Sequence, residues 1–247
     1  MSDRPTAGEN GAIVEARGLT KTYVQGTVEV PALRGLDLKV RRGQFAVLAG
    51  SSGSGKTTLL NLIGALDRPT DGSVHVDGRD LSRMSSRELA RMRLHRLGFV
   101  FQAYNLVPVL TAYENAEYVL LLQGVPAEER RRKVGELLRA VGLEGMEHRR
   151  PTELSGGQQQ RVAVARAIAA EPALVLADEP TANLDSKTGT DLIQLMRRLN
   201  QERGVTFLFS SHDPKVIDHA DRVIQLQDGL IIADTGNGET VNLPREA

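Results

Sequence analysis

The sequence predicts an α/β fold, and three observations carry that reading. Phe45–Ala49, Ala173–Ala177 and Val205–Phe209 are short, nearly continuous apolar runs. That is the pattern of strands covered on both faces of a parallel sheet, not the alternation of a half-exposed one. Helical patterns lie between the runs: Lys56–Leu66, and Ser186–Gln201 with Leu192, Leu195, Met196 and Leu199 at three-to-four spacing, stopped by Gly204. The resulting order of strand, helix, strand is that of an α/β protein. Finally, the chain has 247 residues, 40% of them hydrophobic and 25% charged, enough to bury a substantial core.

Along the chain, residues 1–10 read as a polar, disordered tail, because MSDRPTAGEN lacks the basic-then-apolar order of a secretory signal. The folded domain is expected over 11–236. Residues 12–40, punctuated by Gly26 and Pro31, read as edge or antiparallel strands forming a β subdomain. From about 85 to 150 the chain turns largely helical. Thr111-Ala-Tyr-Glu114 has capping-box spacing, and Pro126 suits a first helical turn before the charged run Glu128–Lys133. Residues 103–155 are read as a helical subdomain inserted into the α/β core. Val223–Ile232 is a hairpin across Asp228-Gly229, and 237–247 form a C-terminal tail. No internal repeat is visible, which argues against a solenoid or a tandem array.

Composition narrows the functional classes. Lysine plus arginine (31) equals aspartate plus glutamate (31), so the bulk positive field of a nucleic-acid binder is missing and no nucleic-acid partner is expected. The absence of cysteine removes disulfides, thiol nucleophiles and cysteine-ligated metal sites, and suits the cytoplasm. The longest uncharged stretch, Leu97–Tyr113, is broken by Gln102, Asn105 and Pro108 and falls short of the ~20 apolar residues of a membrane span. Five arginines and one glutamate between Arg83 and Arg96 read as a solvated helix face, as does Arg130–Lys133.

The chemistry is concentrated in two segments. Gly50-Ser51-Ser52-Gly53-Ser54-Gly55-Lys56-Thr57, followed by Thr58, sits between the first apolar strand and an apolar helix. That context turns a P-loop match into evidence. Its glycines let consecutive amides converge on phosphate oxygens, and the helix N-terminus adds a positive dipole end. Lys56 would reach the β- and γ-phosphates and Thr57 would place its hydroxyl on Mg²⁺. The second segment, Leu174–Ala177 followed by Asp178 and Glu179, is a buried strand ending in two carboxylates. Because side chains alternate along a strand, the two should diverge. Asp178 is assigned to Mg²⁺ and Glu179 to the attacking water as general base.

A third segment makes the pattern specific. Leu154-Ser155-Gly156-Gly157-Gln158-Gln159-Gln160-Arg161 precedes Asp178 and matches the signature sequence of ATP-binding cassette (ABC) proteins. The chain resembles the nucleotide-binding subunit of ABC transporters. Tyr23, Gln102, Asn183-Leu184-Asp185 and His212 fall in the family's order, and the resemblance runs from Tyr23 to His212. The stretches Phe99–Asn115, Leu60–Asp67 and Asp185–Gly189 bring it nearest to the MacB/LolD/FtsE-type group; Ala103-Tyr104 after Gln102 departs from that group's pattern where a phenylalanine is more usual.

The resemblance implies a P-loop ATPase using ATP and Mg²⁺. It implies that Tyr23 stacks on adenine, that Gln102 ligates Mg²⁺ or a water, that His212 links the γ-phosphate to Glu179, and that Asp185 communicates across a dimer. Ser155, Gly156, Gly157 and Gln158 open a helix that would receive the γ-phosphate of an ATP bound by a second copy, giving a head-to-tail homodimer. Integral membrane permease subunits would dock near Gln102–Leu110, with Tyr104, Leu106, Val107, Val109 and Leu110 as an apolar surface needing cover. The subunit would then be cytoplasmic and held peripherally at the inner membrane by those partners. MacB-like export, LolD-like lipoprotein release and FtsE-like control of cell-wall remodelling all remain open, as does a cassette acting on ribosomes or DNA. The chain has one cassette and no heptad run, which speaks against the last.

Overall fold

The computed structural model describes residues 11–236; the tails expected at 1–10 and 237–247 lie outside the described residues. In chain order the elements are β1 (Ala12–Gln25), β2 (Val28–Arg41), β3 (Phe45–Ala49), α1 (Lys56–Ile63), β4 (Asp71–Val76), β5 (Arg79–Asp80), α2 (Ser86–Arg96) and β6 (Leu97–Phe101). There follow α3 (Ala112–Leu122), α4 (Ala127–Ala140), α5 (Gly156–Ala169), β7 (Leu174–Asp178), α6 (Ser186–Arg203), β8 (Thr206–Ser210), α7 (Pro214–Asp218), β9 (Arg222–Gln227) and β10 (Leu230–Asp234). They build a four-stranded antiparallel sheet ordered β2-β1-β4-β5 and a six-stranded sheet ordered β10-β9-β3-β8-β7-β6. In the larger sheet β9, β3, β8, β7 and β6 run parallel and β10 closes the edge antiparallel, across Asp228-Gly229.

The apolar runs are buried on both faces, as their composition requires. Phe45, Val47, Val175, Ala177, Phe207 and Phe209 face the layer made by α3, α4, α5 and α6. The intervening Ala46, Leu48, Leu174, Leu176 and Leu208 face the layer made by α1, α2 and the antiparallel sheet. Period-two side-chain alternation thus feeds two cores from one sheet. Phe45 and Phe209 rings meet at 4.5 Å between centroids, in a tilted pair.

Local differences from the sequence-based expectations have local causes. The second and third apolar runs enter the ladder one residue late, because Asp178 pairs with both Phe101 and Ser210 while Ala173 bonds to Arg96 outside the ladder. Helix α1 stops at Ile63 rather than Leu66: Ala65 has φ 56°, which an α-helix does not accept. Pro126 is the N-cap of α4, not its first helical residue. The capping box at Thr111 and Glu114 forms with both of its bonds, and a second one, unread in the sequence, opens α2 at Ser85 and Glu88. The Arg83–Arg96 face is not wholly solvated. Arg93 donates to the Ala65 carbonyl at 2.6 Å, and Arg96 and Arg42 clamp the buried Asp77. Arg130 is likewise engaged, by Glu117 at 2.6 Å and the Val125 carbonyl. Among the described residues no helix is long and apolar enough to cross a membrane.

Candidate nucleotide site

The C-terminal ends of four parallel strands converge on one cleft, the usual location of a ligand in a parallel α/β sheet. β3 delivers the loop 50–55, β6 delivers Gln102, β7 delivers Asp178 and Glu179, and β8 delivers Ser210 and His212. The cleft encloses about 500 Å³. Ser51, Ser52, Gly53 and Gly55–Thr58 line it on one side, and Gln102, Glu179 and His212 on another. Gly50, Ser54 and Asp178 do not line it but bond to residues that do.

Two glycines of the loop are sterically obligatory. A Cβ on Gly50 would lie 2.3 Å from the Leu226 carbonyl oxygen, and one on Gly55, at φ 105°, would lie 2.8 Å from that of Ala32. The loop is therefore pressed between the β-hairpin and the antiparallel sheet. Lys56 is buried, and its Nζ donates to the carbonyls of Gly50 at 2.7 Å and Ser51 at 2.8 Å. These two bonds bend the ammonium over the loop while leaving its third donor for another acceptor. Helix α1 begins at Gly55 with no side-chain cap, so no side chain of its own competes for its first-turn amides.

Thr57 Oγ1 donates to Asp178 Oδ1 at 3.2 Å, and Ser210 donates a short hydrogen bond to the same oxygen. Ser210 is a site residue that the sequence reading passed over; the signal was a hydroxyl closing an apolar strand. The two carboxylates do diverge, but not through the pleat. β7 ends at Asp178, and Glu179 takes φ 45°, with its amide held by the Ser210 carbonyl at 3.1 Å. A left-handed non-glycine backbone at such a position stores local strain of about 1–3 kcal/mol. Glu179 Oε1 lies 2.9 Å from His212 Nδ1, pairing a half-buried carboxylate with a largely exposed imidazole. A carboxylate so placed can take a proton from water, and the imidazole can orient it.

A hydroxyl and a carboxylate in contact are hard oxygen donors of the kind Mg²⁺ takes alongside phosphate oxygens and water, so Thr57 and Asp178 fit that ion. No group of three or more His, Cys, Asp or Glu side chains able to hold a metal without other ligands occurs among the described residues. Gln102 is tied at its backbone carbonyl by Asn183 Nδ2 at 3.0 Å, which keeps the glutamine at the cleft wall.

Tyr23, Ser155, Gly156, Gly157, Gln158 and Asp185 do not line the cleft. The Tyr23 hydroxyl donates to Asp67 at 2.9 Å, Lys21 Nζ stands 4.8 Å from its ring centroid, and burial pushes the phenol pKa up. Ser155 is the N-cap of α5: its Oγ accepts from the Gln158 amide at 3.3 Å while its own amide donates to Gln158 Oε1 at 2.9 Å. A Cβ on Gly157 would lie 2.4 Å from the Thr188 methyl, so this end of α5 is packed tightly on α6. Asp185 caps α6, accepting from the amides of Lys187 at 3.1 Å and Thr188 at 3.0 Å.

A glycine-rich loop after a buried strand, a lysine folded over it, and a threonine–aspartate pair beside a second carboxylate together define a P-loop nucleotide hydrolase. The family model described as ABC transporter matches residues 33–182. An ABC transporter ATP-binding protein of Thermotoga maritima is 48% identical over 89% of this chain and 93% of its own length. The lipoprotein-releasing system ATP-binding protein LolD of Anaeromyxobacter dehalogenans is 50% identical over 90% and 93%. The macrolide export ATP-binding/permease protein MacB of Syntrophobacter fumaroxidans is 45% identical over 91% of this chain, which spans only 32% of that protein. A dimeric ATP-binding cassette solved in a post-hydrolysis state with ADP and Pi superposes with a TM-score of 0.83 at 43% identity, over 90% of this chain and 97% of that one. The chain belongs to the ABC transporter family. It is an ATP-binding subunit of the LolD/MacB type, and its activity is ATP hydrolysis.

Proposed function

We propose that two copies of this chain bind two Mg-ATP head to tail and hydrolyse them, driving a conformational change in membrane permease subunits. The observation that carries the proposal is the separation of two phosphate-binding ends: the P-loop lines the cleft, whereas the Ser155–Gln158 end of α5 does not. A second copy, presenting its α5 end to the first copy's cleft, satisfies both. The dimeric cassette relatives support this arrangement.

Within the cleft, Lys56 and the amides of the loop hold the β- and γ-phosphates; Tyr23, which lies outside the cleft with Lys21 against its ring, meets an adenine that extends beyond it. Thr57, Asp178 and Gln102 would hold Mg²⁺, which when bound neutralises phosphate charge. Glu179 takes the proton of the attacking water, with His212 orienting it and meeting the γ-phosphate. Ser155, Gly156, Gly157 and Gln158 meet that phosphate from the partner copy, and Asp185 lies along the same interface.

The permease subunits dock on the helical layer, which we take as an inserted subdomain over about 103–155. A groove of about 410 Å³ runs beside Asn105, walled by Leu66, Leu94, Phe99 and Val119. Val107, Val109, Tyr118, Leu121 and Leu122 are exposed apolar side chains on this layer. Leu106, by contrast, packs partly buried on the core and contributes less to the surface than the sequence suggested. The MacB relatives carry ATP-binding and permease functions in one protein of which this chain matches about a third, which supports a membrane partner. The chain would accordingly sit at the cytoplasmic face of the inner membrane, coupled to lipoprotein release or export. The test is light scattering of Glu179→Gln in saturating ATP and Mg²⁺. A dimer that reverts to monomer when ATP is withdrawn is expected; monomer throughout overturns the proposal.

A further inference from the structure

Two polar side chains of helix α5 that the nucleotide chemistry leaves unused, Gln160 and Arg166, reach across to the backbone around the end of β6. Gln160 is completely buried. Its Nε2 donates to the carbonyl of Pro180 at 2.7 Å and to that of Phe101 at 3.3 Å. Pro180 directly follows Glu179, and Phe101 directly precedes Gln102. Two carbonyls require two N–H donors, so the orientation of the amide is dictated by its partners. Its Oε1 is consequently turned away, buried with no hydrogen-bond partner. A buried orphan acceptor is unfavourable, and an apolar side chain of similar length would avoid it. The two donated bonds are what the glutamine provides in exchange.

Arg166, six residues further along α5, repeats the contact on the same loop. It donates to the carbonyls of Tyr104 at 2.9 Å and Asn105 at 2.5 Å. Both of those residues have positive φ, 58° and 49°. The segment 101–105 is therefore held from within at three of its five carbonyls by one helix, the helix whose first turn is the Ser155–Gln158 end.

We propose that Gln160 is a positioning residue that ties the backbone beside Glu179 and the backbone beside Gln102 to one side chain of helix α5, so that the general base and the cleft-wall glutamine keep a fixed mutual placement. This rests on the hydrolytic reading of the cleft. Gln160 itself touches neither nucleotide nor water; it acts by fixing the carbonyls on the far side of the two residues that do.

The experiment is steady-state ATP hydrolysis and separate ATP binding by the full chain and by Gln160→Met, which keeps length and volume but removes both donors. The P-loop lies on β3 and α1, away from these bonds, so the ATP dissociation constant should stay within about twofold while kcat falls tenfold or more. A kcat within twofold of wild type overturns the positioning role, because packing alone would be satisfied by methionine. A wild-type chain that hydrolyses no ATP would overturn the reading of the cleft as well, which distinguishes the two failures. Should Gln160→Met not fold, hydrogen exchange of the wild-type chain decides. Adding ATP should protect the amides of Tyr104 and Ala182 together; protection at Ala182 with none at Tyr104 overturns the proposal.

Discussion

The two helix N-termini that the family reading assigns to phosphate are built in opposite ways. Helix α1 starts at a left-handed glycine, Gly55, with no side-chain cap, and Lys56 folds back over the loop before it. Helix α5 starts at a serine whose hydroxyl and amide are both committed to a capping box with Gln158. An uncapped first turn leaves its orphan amides to a ligand, and the surrounding loop, pinned by Gly50 and Gly55 against backbone carbonyls, holds them in place without one. A boxed first turn is stable unaided and has fewer amides to spare. The first end leaves its amides open to an anion. The second is a rigid platform that adds contacts to something already held elsewhere, which suits one half of an interface.

The largest effect should come from separating the two ends genetically. Lys56→Ala removes the phosphate lysine, and Ser155→Arg places a bulky cation on the platform. Each alone is expected to lower ATP hydrolysis by about 10²-fold or more, as loss of preorganised charge stabilisation does. Mixed in equal amounts, half of the dimers pair one of each, and one of their two sites is intact. Activity on the order of a quarter of wild type should return. No recovery on mixing would mean that each chain works by itself. A smaller effect is expected from Gly55→Ser, which offers α1 the kind of cap that α5 has. Its Cβ would press on the Ala32 carbonyl from a backbone at φ 105°. Strain of about 1–3 kcal/mol should weaken ATP binding roughly tenfold to a hundredfold in a calorimetric titration.

Ser155→Ala should separate stability from nucleotide binding. Losing an N-cap costs about 0.5–2 kcal/mol, read as a lower denaturation midpoint, while the affinity of the monomer for ATP should not change. A fall in monomer affinity would mean that α5 reaches its own chain's cleft.

This division between the ends was only half legible in the sequence. The P-loop, the buried strands and the helix stop at Gly204 are written in residue type and spacing, and Gly204 takes φ 65° as a C-cap glycine should. The partners of the site residues are not so written, because they come from chain segments far apart. Ser210 reaches Asp178 from a neighbouring strand, Asn183 reaches Gln102 across 81 positions, and Gln160 reaches the last carbonyl of β6 and one just beyond β7. Strand alternation alone predicts that Asp178 and Glu179 diverge, whereas Glu179 leaves the strand with a left-handed backbone, its amide held by the Ser210 carbonyl. Local rules identify which residues carry chemistry; the rigidity that aims them is non-local.

The smallest effect concerns the third cap near the signature end. Asp185 serves α6 as Ser155 serves α5, but its cap carries a charge. The Thr188 side chain and amide, with the Lys187 amide, hold its carboxyl below the ordinary value of 3.8. A folded-state pKa that is depressed contributes stability above the unfolded value, and that contribution is lost as pH falls through the folded one. The neutral Ser155 cap has no such dependence. Asp185→Asn retains a side-chain oxygen that can accept from the same amides but loses the charge, so at pH 7 it should be slightly less stable than wild type. The difference between the two chains, measured by denaturant unfolding of the nucleotide-free monomer, should be constant from pH 7 to about 5. It should then shrink below about pH 4 as the wild-type carboxyl protonates. Curves that stay parallel down to pH 2 would show that the cap owes nothing to its charge, and would make the α5 and α6 ends equivalent.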